Sequence, residues 1–279
     1  MPNQELTRIN KFLSEMGYCS RREADKLIEQ HKVKINGKPA QLGDKVTTKD
    51  KIEISGKKIL TTRKPKKIYI AMNKPYGVIT TTDRSKPNNI LDYIDIPEKV
   101  FPIGRLDVQS TGLILLTNDG AIVNKLMRTE NKVEKEYIVA IDKPIKPEDI
   151  KKLEEGIKLK ETKNTPETTT LPAKVKKINP KQISITIVQG LNRQVRRMME
   201  VLGYEVKILK RDRIGTIRLE ELGRGKWRFL TDSEIKSLTT GQPQKHGNIS
   251  LFGRHRWFHS PGHRRRMARK EKGTTGQVS

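Results

Sequence analysis

The sequence predicts an α+β protein of two domains followed by a basic tail. Three observations carry that expectation. Apolar stripes of helical spacing and apolar alternations of strand spacing are interleaved from the N-terminus to about residue 240. A polar, proline-interrupted basic stretch, Thr61-Thr62-Arg63-Lys64-Pro65-Lys66-Lys67, breaks the pattern once. From Gly241 onward the apolar periodicity is lost altogether. A length of 279 residues allows about two domains. The boundaries expected are 1–60, a linker over 61–67, a larger domain over 68–240, and a tail over 241–279.

The first module opens with a helix. Ile9, Phe12, Leu13 and Met16 recur at i, i+3, i+4 and i+7, and Gly17 follows as a stop. Ser20-Arg21-Arg22-Glu23 is a capping box for a second helix that turns Ala24, Leu27 and Ile28 inward. Arg21 and Arg22 then stand in its first turn, where the helix end is already positive and each cation costs a few tenths of a kcal/mol. They answer an external phosphate, or they are a tolerated solvated pair. Val33-Lys34-Ile35, the turn Asn36-Gly37 and Lys38 predict a hairpin, and Lys51-Ile52-Glu53-Ile54 a closing strand. The segments Arg8 to Leu13, Cys19 to Ala24, Val33 to Lys38 and Gly43-Asp44 resemble the S4 (αL-like) RNA-binding domain. That resemblance implies RNA binding through Arg8, Lys11, Arg21, Arg22, Lys34 and Lys38, and no catalysis.

Beyond the linker, Ile68, Ile70 and Met72 alternate in a strand that ends at Asn73-Lys74-Pro75-Tyr76-Gly77. Val78 to Thr82 is a second strand candidate, and 82–89 a polar loop. Gly104-Arg105-Leu106-Asp107-Val108-Gln109-Ser110-Thr111-Gly112 leads into the apolar run Leu113 to Leu116, too short for an amphipathic helix and read as a buried strand. A helix through Ile122, Val123, Leu126 and Met127 follows. Glu134 to Ala140 reads as a strand with Tyr137 and Val139 on one face. Pro147-Glu148-Asp149 starts a helix that Gly156 ends. Ile183, Ile185 and Ile187 alternate in a strand. Gln189 to Gln194 turns into a helix with the stripe Val195, Met198, Met199 and Leu202, leaving Arg193, Arg196 and Arg197 on another face. Strands are expected at 206–209 and 214–219, and Thr231-Asp232-Ser233-Glu234 caps a last short helix.

Charge narrows the partner. Lys and Arg number 58 against 32 Asp and Glu, a formal net charge of +26, and each part of the chain is net positive. Such an excess repels itself unless it meets a polyanion. No run approaches the ~18 apolar residues of a membrane span, so nucleic acid is favoured over a membrane. The N-terminus begins neither a signal peptide nor a lipidation site, and Cys19 is the single cysteine, so a cytoplasmic chain without disulfide or zinc cluster is expected. Cys19 reads as a small buried apolar residue. The tail holds four of the five histidines, several arginines, and Trp257-Phe258. It reads as disordered in isolation, an RNA-contacting segment with stacking aromatics or a solubilising end. With no cysteine and one acid, Glu271, it is a poor metal site.

Neither a P-loop nor a dinucleotide fingerprint can be aligned, and no histidine occurs between His31 and His246, which argues against a histidine triad. Asp107 is therefore the carboxylate of interest: a turn cap, or a reactive group carried by a buried strand. Arg105 and Arg196 are candidate partners that would keep it ionised. Physics permits an aspartate-based reaction at a sugar C1′ without selecting one.

Asn73 to Gly77, Gly104 to Asp107, Thr111 to Gly120, Lys135 to Tyr137 and Gly190 to Met198 together resemble the RsuA/RluB/RluE/RluF family of pseudouridine synthases, the RluF branch most. The resemblance implies a larger, mostly antiparallel β-sheet catalytic domain and the isomerisation of uridine to pseudouridine in RNA, with neither cofactor nor metal. It implies Asp107 as nucleophile, Tyr137 stacked on the base, Arg196 in a salt bridge with Asp107, and Arg105 holding the site or filling the gap in the RNA. It places Lys74, Arg193 and Arg197 on phosphates. The expected partner is 23S ribosomal RNA, with a tRNA as a second target, and the expected state is a monomer. The competing reading is a non-catalytic RNA-binding protein of ribosome assembly.

Overall fold

The computed structural model describes residues 6–59, 65–131, 133–162 and 165–240. The expected tail and the first part of the expected linker lie outside the described residues. The chain divides into two compact units, one within Met1–Ile68 with Pro97–Val100 and Asn118–Gly120, the other built on the remainder.

In the smaller unit, helices Ile9–Glu15 and Arg21–Glu29 stand beside a four-stranded antiparallel sheet. Its strand order is Lys38–Pro39, Val33–Ile35, Ile52–Ile54, Lys57–Lys58. The helical stripe does what its spacing predicts: Ile9, Phe12, Leu13 and Met16 join Ala24, Ile28, Val33 and Ile52 in one core, with Cys19 buried among them. The capping box at Ser20 forms in both directions. Asn36 and Gly37 take φ of 51° and 84°, the two positive values that a tight hairpin turn needs.

The larger unit is organised by a nine-stranded sheet. Its main order is Lys174–Asn179, Gln182–Ile187, Lys135–Ile141, Val206–Ile214, Thr111–Thr117, Tyr69–Lys74 and Trp227–Phe229. Phe101–Ile103 also pairs with Thr111–Thr117, and Ile217–Arg218 with Val206–Ile214. Every pairing is antiparallel except that between Val206–Ile214 and Thr111–Thr117, which is parallel. Two cores lie along the sheet. One gathers Val139, Ile183, Ile185 and Leu209 under helices Pro147–Glu155 and Gln194–Val201. The other gathers Ala71, Leu113, Leu115 and Ile214 with Ile122 and Leu126 of helix Gly120–Met127. The central run Leu113 to Leu116 is wholly buried, as its length and composition imply.

Two sequence expectations need correction. Val78 to Thr82 is no strand; it makes one isolated bridge, Ile79 with Asn89. The Thr80 hydroxyl is instead committed to the backbone of Leu106, donating to its carbonyl at 2.7 Å. The strand read as 206–209 continues to Ile214. Its polar stretch is held by ion pairs: Arg213 to Glu134 and Glu136, each at 2.9 Å, and Asp212 to Lys210 at 3.3 Å. Charges that looked like a loop are neutralised by neighbours on the sheet.

Candidate active site

Asp107 sits in the loop between strands Phe101–Ile103 and Thr111–Thr117, partly buried. Five successive carbonyls of that loop each receive a donor. Leu106 O accepts from the Thr80 hydroxyl at 2.7 Å, Asp107 O from the Ser110 N–H at 3.0 Å, and Val108 O from the Gly77 N–H at 2.9 Å. Gln109 O accepts from Arg196 Nη2 at 2.8 Å, and Ser110 O from Lys74 Nζ at 2.8 Å. A loop fixed through its backbone holds its side chains in place without using them. Among the described residues the Asp107 carboxylate makes no ion pair within 4.0 Å. It lies in the fields of Lys74 and Arg196 all the same, raising the proton affinity of both.

Sheet register brings the other groups together. Tyr137 is opposite Arg211, Arg211 opposite Gly112, and Gly112 opposite Lys74, one row across four strands at the parallel seam. Gly112 has a φ of +102°, and a Cβ there would lie 2.2 Å from Arg211 O, so only glycine lets the two strands meet. A bulge falls between Glu136 and Tyr137, where Asp212 is the extra residue, and it re-aims the Tyr137 end of the row. Arg211 is 3% exposed, donates through Nε to Leu113 O at 2.7 Å, and places Nη1 3.5 Å from the Tyr137 hydroxyl. Its guanidinium carbon is 6.0 Å from the Tyr137 ring centre, at the outer limit of a cation–π contact.

The basic floor is unusual in having several buried cations. Lys74 is completely buried, with Nζ also donating to Pro75 O at 2.9 Å. Burial lowers its pKa to about 8; Asp107 partly offsets this and Arg211 adds to it. Lys135, buried on carbonyls of Val133 and Val188, is likewise lowered to about 8 by burial and by Arg211. Arg196 is pushed below the usual guanidinium range by burial, then by Arg193, against the pull of Asp107.

These positions correct three assignments. Arg196 forms no salt bridge with Asp107; its guanidinium is engaged by Val206 O and Gln109 O, and it supports Asp107 through the loop and through space. Lys74 is turned inward beneath the loop and is withdrawn from phosphate contact. Arg197 is tied to Lys160 O and the Thr165 hydroxyl, which engages its guanidinium within the protein. Arg105 and Arg193 are exposed, Arg193 as a left-handed helix cap with φ 48°. In the smaller unit Arg8, Arg21, Arg22, Lys34 and Lys38 are exposed, while Lys11 pairs loosely with Glu15 at 3.6 Å. Arg211, Lys135 and Thr80 were not singled out from the sequence. Arg211 shares the strand alternation of buried Leu209, which is the one signal that marks it.

Among the described residues no group of His, Cys, Asp or Glu could hold a metal ion, and no helix is long and apolar enough to cross a membrane. Residues 68–201 match the model of the RNA pseudouridylate synthase family, and residues 7–52 that of the S4 domain. The dual-specificity RNA pseudouridine synthase RluF of Salmonella typhi is 47% identical over 83% of this chain and 78% of its own length. This chain belongs to the RNA pseudouridylate synthase family. It is an enzyme that isomerises uridine to pseudouridine in RNA, which sets aside the non-catalytic reading. A ribosomal large subunit pseudouridine synthase B of Bacillus subtilis is 40% identical over 84% of this chain and 96% of its own. A crystal structure of a pseudouridylate synthase, 34% identical, superposes with a TM-score of 0.61 over 83% of this chain and 99% of that one. A pseudouridine synthase therefore presents, at its parallel seam, a carboxylate on a fixed loop above buried cations.

Proposed function

We propose that Asp107 is the carboxylate that drives this isomerisation, on a uridine turned out of its RNA stack. The observation that carries the reading is the loop of five anchored carbonyls, Leu106 to Ser110, with an unpaired carboxylate on its second residue. Its cost of ordering is met before substrate arrives, and nothing must be broken to free the reacting oxygen. In the reaction the N1–C1′ bond breaks with its electron pair going to the uracil. The base turns, C5 bonds to C1′, the C5 proton leaves, and N1 takes up a proton. Asp107 serves by attacking C1′, by adding to the base, or by assisting glycal formation. Tyr137 stacks on the base and helps move the C5 proton, with Arg211 holding its phenol. Arg196 and Lys74 keep the site positive around the carboxylate, and Arg105, exposed beside it, fills the space the uridine vacates. Reaching both C1′ and C5 requires that the nucleotide be everted.

The substrate we assign is 23S ribosomal RNA, on the name of the large-subunit relative; a tRNA as second target follows the resemblance to the RluF branch. An RNA-binding module over residues 1–60 supplies phosphate contacts through Arg8, Lys11, Arg21, Arg22, Lys34 and Lys38. The linker 61–67 joins it to the catalytic domain, 68–240, and the tail 241–279 adds further contacts. The protein acts as a cytoplasmic monomer without cofactor. The test is Asp107→Asn on RNA tritiated at uridine C5. Folding and RNA affinity are expected to stay within about twofold while single-turnover tritium release is abolished. Release comparable to wild type removes Asp107 from the mechanism.

A further inference from the structure

Among the described residues of the larger unit, Tyr76 is the most exposed large apolar side chain, at 68%. It stands on a turn that is anything but loose. Gly77, with φ +82°, closes the turn and donates its N–H to Val108 O at 2.9 Å. Asn88 Nδ2 donates to Gly77 O at 2.8 Å from the other side. Lys74 Nζ bridges Pro75 O and Ser110 O. The turn bearing Tyr76 is thus fastened at both ends to the loop bearing Asp107. Val108, 43% exposed, is the next residue of that loop. Arg196, through its hydrogen bond to Gln109 O, holds the same loop. A rigid backbone that presents a bare aromatic ring at the lip of a site is a feature the isomerisation chemistry does not call for.

We propose that Tyr76 is a stacking platform for the nucleobase that flanks the reacting uridine in the RNA strand. The inference rests on Asp107 marking where that uridine reacts. Everting a nucleotide costs a few kcal/mol because its neighbours lose a stacking partner. An aromatic ring held at the mouth of the site replaces that partner, and base–aromatic stacking contributes ~1–3 kcal/mol per base. Tyr137 cannot serve here, since its hydroxyl is held inside the row by Arg211. A phosphate is the wrong occupant, since the ring carries no positive charge and exposed arginines stand nearby for that task.

The probe is a 23S rRNA transcript, bound by filter assay in an Asp107→Asn background so that affinity is read without turnover. Tyr76→Ala is expected to raise Kd between about 5- and 150-fold, and Tyr76→Phe to stay within about twofold of the parent. The slope of log Kd against log salt is expected to be the same in all three, because stacking releases no counterions. The side chain is mostly outside the core, so melting temperatures should coincide; Tyr76→Leu, which keeps the bulk, is expected to behave as Tyr76→Ala. An unchanged Kd for Tyr76→Ala overturns the proposal. So does an equal loss in Tyr76→Phe, which would point to the hydroxyl, and so does full affinity in Tyr76→Leu. Turnover by Asp107→Asn would sink the catalytic assignment while leaving the Kd comparison readable.

Discussion

The Lys74 ammonium lies below the Asp107 loop with two carbonyls in hand, and its pKa of about 8 leaves it mostly charged at neutral pH. Its ordinary value is about 10.4. Below the folded value both the native and the unfolded chain carry the proton, and burial of the charge costs stability in full. Between about 8 and the ordinary value the native state has lost the proton and the unfolded state still holds it, so stability rises with pH. Lys135 adds to the same window. We therefore expect wild type to gain stability relative to Lys135→Met as pH is raised from about 8 toward about 10.4, measured by urea unfolding at each pH. A constant difference would mean that the Lys135 proton is bound alike in both states. Activity has the opposite sign: losing the Lys74 charge removes a cation from the Asp107 field, so kcat should fall through pH of about 8. In Lys74→Met that limb should be missing, and Pro75 O and Ser110 O, left without their donor, should cost about 1–3 kcal/mol of stability each.

At the scale of elements, the parallel seam does most of the positioning. Gly112 lets Arg211 and Lys74 stand on either side of a residue with no side chain. Gly112→Ala puts a Cβ 2.2 Å from Arg211 O at a φ of +102°, combining left-handed strain with overpacking, together about 3 kcal/mol or more. Gly156→Ala is a fitting control, since its Cβ would meet Thr170 O at 2.4 Å at the end of the Pro147–Glu155 helix. Both variants should lose stability in urea. In the fraction that remains folded, Gly156→Ala should keep wild-type kcat and Gly112→Ala should not; equal kcat in both would separate the seam from the chemistry. Local elements were legible in the sequence wherever one physical rule governed them. The Ser20 and Thr231 capping boxes and the Asn36-Gly37 turn depend on neighbours within a few residues, and they form as read. Asp107 was legible as a candidate because turn residues flank a buried run. Arg211 was not, because a buried arginine in a charged stretch makes sense only once Leu113 O and Tyr137 are across from it. Lys74 looked like a phosphate ligand for a similar reason: one of its inward partners, Ser110 O, lies far along the chain in the Asp107 loop.

For the whole molecule, the excess of 58 basic over 32 acidic residues matters through where it is left unpaired. In the smaller unit the exposed Arg21 and Arg22 open the second helix, at its positive end, and neither makes an ion pair among the described residues. Arg213, by contrast, is spent on Glu134 and Glu136 within the sheet. Internal pairs of the second kind hold the fold, while unpaired charges of the first kind are free to displace counterions from RNA. Each phosphate contact contributes about 0.7 to the slope of log K against log salt on single strands and about 0.9 on a duplex. Replacing Arg21 and Arg22 together by glutamine should therefore flatten that slope by about 1.4 to 1.8 for a 23S rRNA transcript. The rate of tritium release from bound RNA under single-turnover conditions should be preserved, because neither residue belongs to the row around Asp107. A slope that does not change would show that these arginines are solvated and that the phosphate contacts of the enzyme lie elsewhere. A slowed single turnover with unchanged slope would place them in the chemistry.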